Sequence, residues 1–234
     1  ICFVILFNFE TLTLRVFGIG FAAGFIGGLG LPFIYKAIST GAVSFVGPVV
    51  ALTQSFFLIM FAVIVKNESL SLTFPIAAAL GAVGIYLCSR QAVGNQPVTF
   101  SIFLLAATAA VFFSGFSFIA TEIDNSQILG GLVGARFGVF ALTFVFPPKK
   151  GLVIPNGGEY KKYALLSGTC EVVANIFFMI AINNLELSKV GIFMASAPAL
   201  STLIAIKMLH QRPSITNWVG IAASSGALAI IALS

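Results

Sequence analysis

The sequence predicts an all-α, polytopic membrane protein, and three observations predict it. Eight stretches of roughly twenty apolar residues, each ended by a short polar break, run from Val16 to Leu233. The composition is 59% hydrophobic and 8% charged, with a mean hydropathy of +1.09, whereas a soluble domain carries about a quarter charged residues. The polar breaks are too short to fold by themselves, so nearly every backbone amide has to find its partner inside its own helix, as hydrocarbon demands. Lipid is the solvent for most of this chain.

The elements follow in order. The first residue is Ile1, and the apolar run Ile1 to Phe9 is too short to span before Glu10 interrupts it. It has neither the basic start nor the small-residue cleavage site of a signal peptide. A fragment that begins inside a helix, with at least one more helix upstream, is therefore expected. Spans are expected at Val16–Tyr35, Val43–Val65, Leu72–Leu87, Phe100–Ala120, Ile128–Phe146, Tyr163–Ile182, Val190–Met208 and Trp218–Leu233. The four that start at Phe100, Ile128, Tyr163 and Val190 each hold enough helix to cross a core of about 30 Å. Lys66-Asn67-Glu68-Ser69 and His210-Gln211-Arg212-Pro213 are tight turns, and Pro147 to Lys162 is the longest polar stretch. Trp218 suits an interfacial anchor, and Lys36 and Lys207 lie near span ends where long side chains reach the headgroups.

With no extramembrane domain, any function has to lie inside the bundle. The net charge of +5 is spread between membrane segments without a basic patch interleaved with aromatics, which excludes a nucleic-acid partner. Cys2, Cys88 and Cys170 are odd in number, lack CxxC spacing and fall in or at the ends of apolar runs, so they read as packing residues. There is no HExxH and no pair of intramembrane aspartates, and the single histidine, His210, sits in a turn. Neither enzyme chemistry, a cofactor nor a metal site is expected.

Two runs carry glycines at four-residue spacing, Gly20-Gly24-Gly28 and Gly130-Gly134-Gly138, and such stripes let helices approach closely. Pro48 and Pro198 fall inside expected helices, where they free carbonyls and permit kinks. Shifting the chain by 144 positions pairs Ala37 with Ala181, Ile38 with Ile182, Ser44 with Ser188, Val46 with Val190, Gly47 with Gly191 and Ala51 with Ala195. The paired units lie five spans apart. An odd number of crossings reverses direction, so the two copies are expected to run antiparallel, as in alternating-access carriers.

The stretch Ala-Ile-Ser-Thr-Gly-Ala-Val-Ser-Phe-Val-Gly-Pro from Ala37, the long helix after it, Lys-Asn-Glu-Ser-Leu-Ser and a Gly-rich last span resemble an EamA-type half of the drug/metabolite transporter superfamily. Ala181 to Ser234 resembles the corresponding end of a second half. The resemblance implies two inverted five-helix repeats, with residues 1–95 an incomplete first half and residues 96–234 the second. Glu68 keeps the acid that such family turns carry, and Gln211 stands in its place in the second copy.

Candidate site residues are the polar groups at membrane depth, where an ion costs at least a few kcal/mol unless it faces a cavity or a partner. In antiparallel neighbouring helices, Arg136 and Glu171 fall about 12 and 16 Å from one membrane face, close enough to pair. Glu171 reads either as a contact for a substrate amine or as a proton-coupling carboxylate, against a static salt bridge; Arg136 reads as a binder of carboxylate or phosphate or as structural. Asn175, one turn beyond Glu171, either lines a cavity or bonds across helices. Thr53, Gln54 and Ser117 are further candidate linings, as are Ser114 and Thr121, although such hydroxyls also bond back to their own helices.

Loops on the face with Glu10, Lys66, Asp124 and Lys189 hold fewer basic residues than those on the face with Arg90, Lys149, Lys150, Lys161, Lys162 and Arg212. Charge places the second face in the cytoplasm; the resemblance implies the reverse. The expected function is a secondary transporter, exporter or exchanger, of a small organic metabolite in a plasma (cell inner) membrane. The partners are that solute and the bilayer. A passive pore or lipid scramblase is the alternative, followed by an intramembrane enzyme.

Overall fold

The computed structural model describes residues 13–39, 43–69, 72–89, 100–146, 158–195 and 215–232. Among the described residues the chain is helical, without strands. The helices are α1 (Leu14–Gly28), α2 (Gly30–Ser39), α3 (Val43–Ile64), α4 (Phe74–Ser89), α5 (Phe100–Ala120), α6 (Ile128–Val145), α7 (Gly158–Asn184), α8 (Leu187–Ala195) and α9 (Ile215–Ala232), with a 3-10 turn at Asn125–Gln127.

Local chemistry accounts for the main boundaries. Thr13 caps α1, its hydroxyl accepting from the Val16 amide at 3.3 Å, which satisfies one of the amides left open at a helix start. The break between α1 and α2 is one residue, Leu29, which keeps a right-handed backbone and bonds to Phe25 and Ile26 carbonyls. Pro32, in the first turn of α2, has no amide and its ring crowds the carbonyl four residues back, at Gly28. The run expected as Val16–Tyr35 is thus one membrane-length element, Leu14–Ser39, of 26 residues. Phe100–Ala120 and Lys161–Asn184 are also long and apolar enough to cross a membrane, while Val49–Ile64 and Phe74–Gly84 are shorter apolar helices. The polar stretch expected from Pro147 to Lys162 ends early: α7 starts at Gly158. Lys161 and Lys162 form helix readily, and no breaker separates them from the apolar run. Pro198, Lys207, His210, Gln211 and Arg212 lie outside the described residues, as do Cys2 and most of the span expected at Val190–Met208.

The end of α3 is specified most closely. Asn67 has a φ of 54°, and the Glu68 amide reaches back to the Ala62 carbonyl at 3.1 Å, while Lys66 bonds Phe61. This six-residue closure satisfies carbonyls at the helix end, and asparagine, whose short polar side chain can hydrogen-bond locally, enters the left-handed region at lower cost than other non-glycine residues. Asn67→Ala is expected to lower stability by about 1 kcal/mol and Asn67→Gly to leave it nearly unchanged. Thermal unfolding in detergent checks both.

The chain divides into two compact units. One comprises residues up to Leu29 together with Gly115–Asn184, and so holds α1, the end of α5, α6 and α7. Its centre is the contact of α1 with α6. A Cβ placed on Gly20 would overlap the Gly131 carbonyl, one on Gly24 the Ala135 carbonyl, one on Gly134 the Phe17 carbonyl and one on Gly138 the Phe21 carbonyl. Partners advance together along both helices, from Gly20–Gly131 to Gly24–Ala135, so α1 and α6 run parallel. On α6, Gly134 and Gly138 of the expected stripe face α1, and Gly131 and Ala135 share the contact beside them. The rings of Phe17 and Phe137 flank the seam, 5.6 Å apart. At the far end Gly27 leaves room for the Phe116 side chain of α5 and Gly115 for Ile26.

The other unit comprises Gly30–Ser114 and Leu185–Ser234. Ala37, Val46, Val49, Val50, Ile102, Ala106 and Ala110 form one core cluster of α2, α3 and α5, and Phe74, Ala77, Ile192 and Ala227 form another that joins α4, α8 and α9. Helices α3 and α8 are neighbours. The start of α8, at Leu187, is bonded to Glu68 beyond the end of α3, whereas Gly191 lies against Ser55 and Ile59, further back in α3. The two helices therefore run antiparallel.

Candidate functional site

In the first unit, Arg136 sits mid-way along α6, one residue past the Ala135 that abuts α1, and Glu171 sits mid-way along α7. The Arg136 guanidinium Nη1 donates to Glu171 Oε1 at 2.7 Å. A charge-assisted contact of that length draws α6 and α7 together. The side chains keep 39% and 60% exposure, so the pair is not sealed in a packed core. The contact uses one carboxylate oxygen and one guanidinium nitrogen.

Asn175 lies one turn along from Glu171, and its Nδ2 donates to the Glu171 backbone carbonyl at 2.8 Å. The bond is made within α7, not across helices, and leaves the amide oxygen uncommitted by this contact. Ser117 is fully buried on the part of α5 that belongs to this unit, where Phe116 stacks with Phe178 of α7 at 6.4 Å between ring centroids. Thr53 and Gln54 are half-buried on α3, in the other unit. Arg136, Glu171 and Asn175 are thus brought together. Several other hydroxyls bond back to their own helices, with Ser114 donating to Ala110, Thr121 to Phe118 and Ser55 to Ala51, at 2.8, 2.8 and 2.7 Å. That is the local alternative to lining a cavity. Cys170, expected to pack, is instead exposed on α7, along a stretch where residues 161–174 are all exposed.

The family model for EamA-like transporters matches residues 100–233, more than half of the 234 residues. The chain belongs to the EamA-like transporter family. This EamA-like chain is also similar to a solved crystal structure at 21% identity and a TM-score of 0.70, over 95% of its own length and 86% of the other. At that identity the likeness bears on the fold alone. No curated protein matches. The chain is accordingly an integral membrane protein of the drug/metabolite transporter type.

Two polar features of this EamA-like transporter escaped the sequence reading as site elements. Asn125 and Asn184 exchange amide hydrogen bonds at 3.2 Å, and Asn183 donates to the Ile123 carbonyl at 2.8 Å, which ties the α5–α6 connection to the end of α7. The adjacent Asn183-Asn184 pair at the end of an apolar run was the available signal. Glu68 accepts from the amides of Leu187 at 2.8 Å and Ser188 at 3.0 Å. The sequence marked its turn but gave no sign that α8 would start beside it.

Proposed function

We propose that the chain is a secondary transporter that exports or exchanges a small organic solute by alternating access between two inverted halves, residues 1–95 and 96–234. The observation that carries the proposal is the antiparallel course of α3 and α8. These are the helices that the 144-residue shift pairs through Val46 with Val190 and Gly47 with Gly191, and opposite direction is what an inverted repeat requires. Arg136, Glu171 and Asn175 supply the binding or coupling groups, with Ser117 as further lining in the same unit and Thr53 and Gln54 as candidate lining within the other. One cation beside one anion suits a zwitterionic or amphipathic solute; a highly phosphorylated one would call for several cationic side chains. A plasma (cell inner) membrane fits this role.

Reconstitution into liposomes tests the mechanism with candidate zwitterions as probes. Uptake is expected to saturate with concentration and to rise when the same solute is preloaded on the opposite side. Uptake linear in concentration and indifferent to preloading would instead establish a pore.

A further inference from the structure

Helix α8 starts without help from its own neighbourhood. A helix start leaves several amides open, and these are normally met by a Ser, Thr, Asp or Asn just before the helix. The residue at that place is Glu186, and its side chain reaches Lys189 instead, at 3.4 Å. The cap is supplied from 119 and 120 residues away, with Glu68 Oε1 accepting from the Leu187 amide and Oε2 from the Ser188 amide. Both oxygens are committed to consecutive amides at the positive end of the helix, where a carboxylate is favoured by charge as well as by hydrogen bonding. The Asn67 turn and the Glu68–Ala62 closure hold the acid in place. Ser188 and Ser55, the latter beside Gly191, are both buried.

We infer that Glu68 is a gating residue, a latch that keeps the end of α3 shut against the start of α8 in this conformation and lets go when that end opens. The inference rests on the alternating-access reading and adds the contact that biases it. The latch joins residues 1–95 to residues 96–234 through a charged group. Removing the carboxylate therefore shifts the population toward states open at this end, without touching Arg136 or Glu171.

The test is labelling by a membrane-impermeant maleimide in proteoliposomes, with Cys2, Cys88 and Cys170 replaced by serine. Three reporters are compared: Ser188→Cys at the latch, Ser55→Cys deeper on α3, and Ser69→Cys in the exposed turn. Glu68→Ala is expected to raise labelling at both 188 and 55 about tenfold, the scale of losing a charge-assisted contact, and to leave 69 unchanged. A rise at 188 alone means that only the first turn of α8 has frayed, and it overturns the latch; so does no rise at either position. Where Glu68→Ala fails to insert, Glu68→Gln, which keeps the shape and loses the charge, is read by the same criteria with an expected rise of about threefold. Labelling needs no knowledge of the solute, so a failed flux assay and a failed latch are separate results.

Discussion

Gly24→Leu is expected to leave the protein unable to reach a stable fold, and Gly24→Ala to destabilise it by about 3 kcal/mol or more. The added Cβ meets the backbone carbonyl of Ala135, and a backbone cannot swing aside as a side-chain tip does. The helices α1 and α6 would have to separate along the whole seam, losing the close approach at Gly20, Gly134 and Gly138 as well. Gly18 provides the control within the same helix. It has nothing within 4 Å of a built Cβ, so Gly18→Ala is expected to be neutral or to stabilise by about 0.5–1 kcal/mol, as alanine usually does in a helix. Thermal unfolding of the two variants in one detergent checks the contrast. Equal midpoints would show that the glycine seam contributes nothing to assembly.

Glu171→Gln is expected to slow transport at least about tenfold while insertion and folding are kept, because glutamine retains the shape and removes the charge that answers Arg136. Flux is compared at equal amounts of inserted protein, and unimpaired flux would end the coupling role. The pair also admits a sharper comparison. If Arg136→Ala and Glu171→Ala each abolish stable expression and the double variant restores it, the contact is a structural bridge between α6 and α7. The expected result is different: each single variant is weakened, since one ion is left alone at a cost of roughly 2–4 kcal/mol in hydrocarbon. The double variant should then recover stability without recovering flux. A double-mutant cycle on stability isolates the direct interaction.

These two expectations also show what the sequence made legible. Arg136 and Glu171 were paired by arithmetic alone, because helix rise converts sequence position into depth and two ions at one depth in adjacent helices seek each other. The glycine stripes were legible as stripes by their four-residue period. Their partnership was not, since nothing in a one-dimensional pattern says that α1 lies against a helix more than 100 positions away, or that Gly131 and Ala135 share the contact. Asn175 could not be assigned between a bond across helices and a bond to its own turn, because both use the same amide. Glu68 was hardest to read. Capping is usually a local event, and here the cap comes from a distant turn after the place before α8 is taken by a glutamate that pairs with Lys189.

The seam between α1 and α6 carries one more consequence. Water release drives association in aqueous proteins and gives it a strong temperature dependence, but in a bilayer there is no water between the helices to release. What remains is dispersion between backbones and weak Cα–H to carbonyl contacts. The cohesion of these two helices should therefore vary little on cooling, and this part of the molecule should stay assembled in the cold where an oil-like aqueous interface of the same area would loosen.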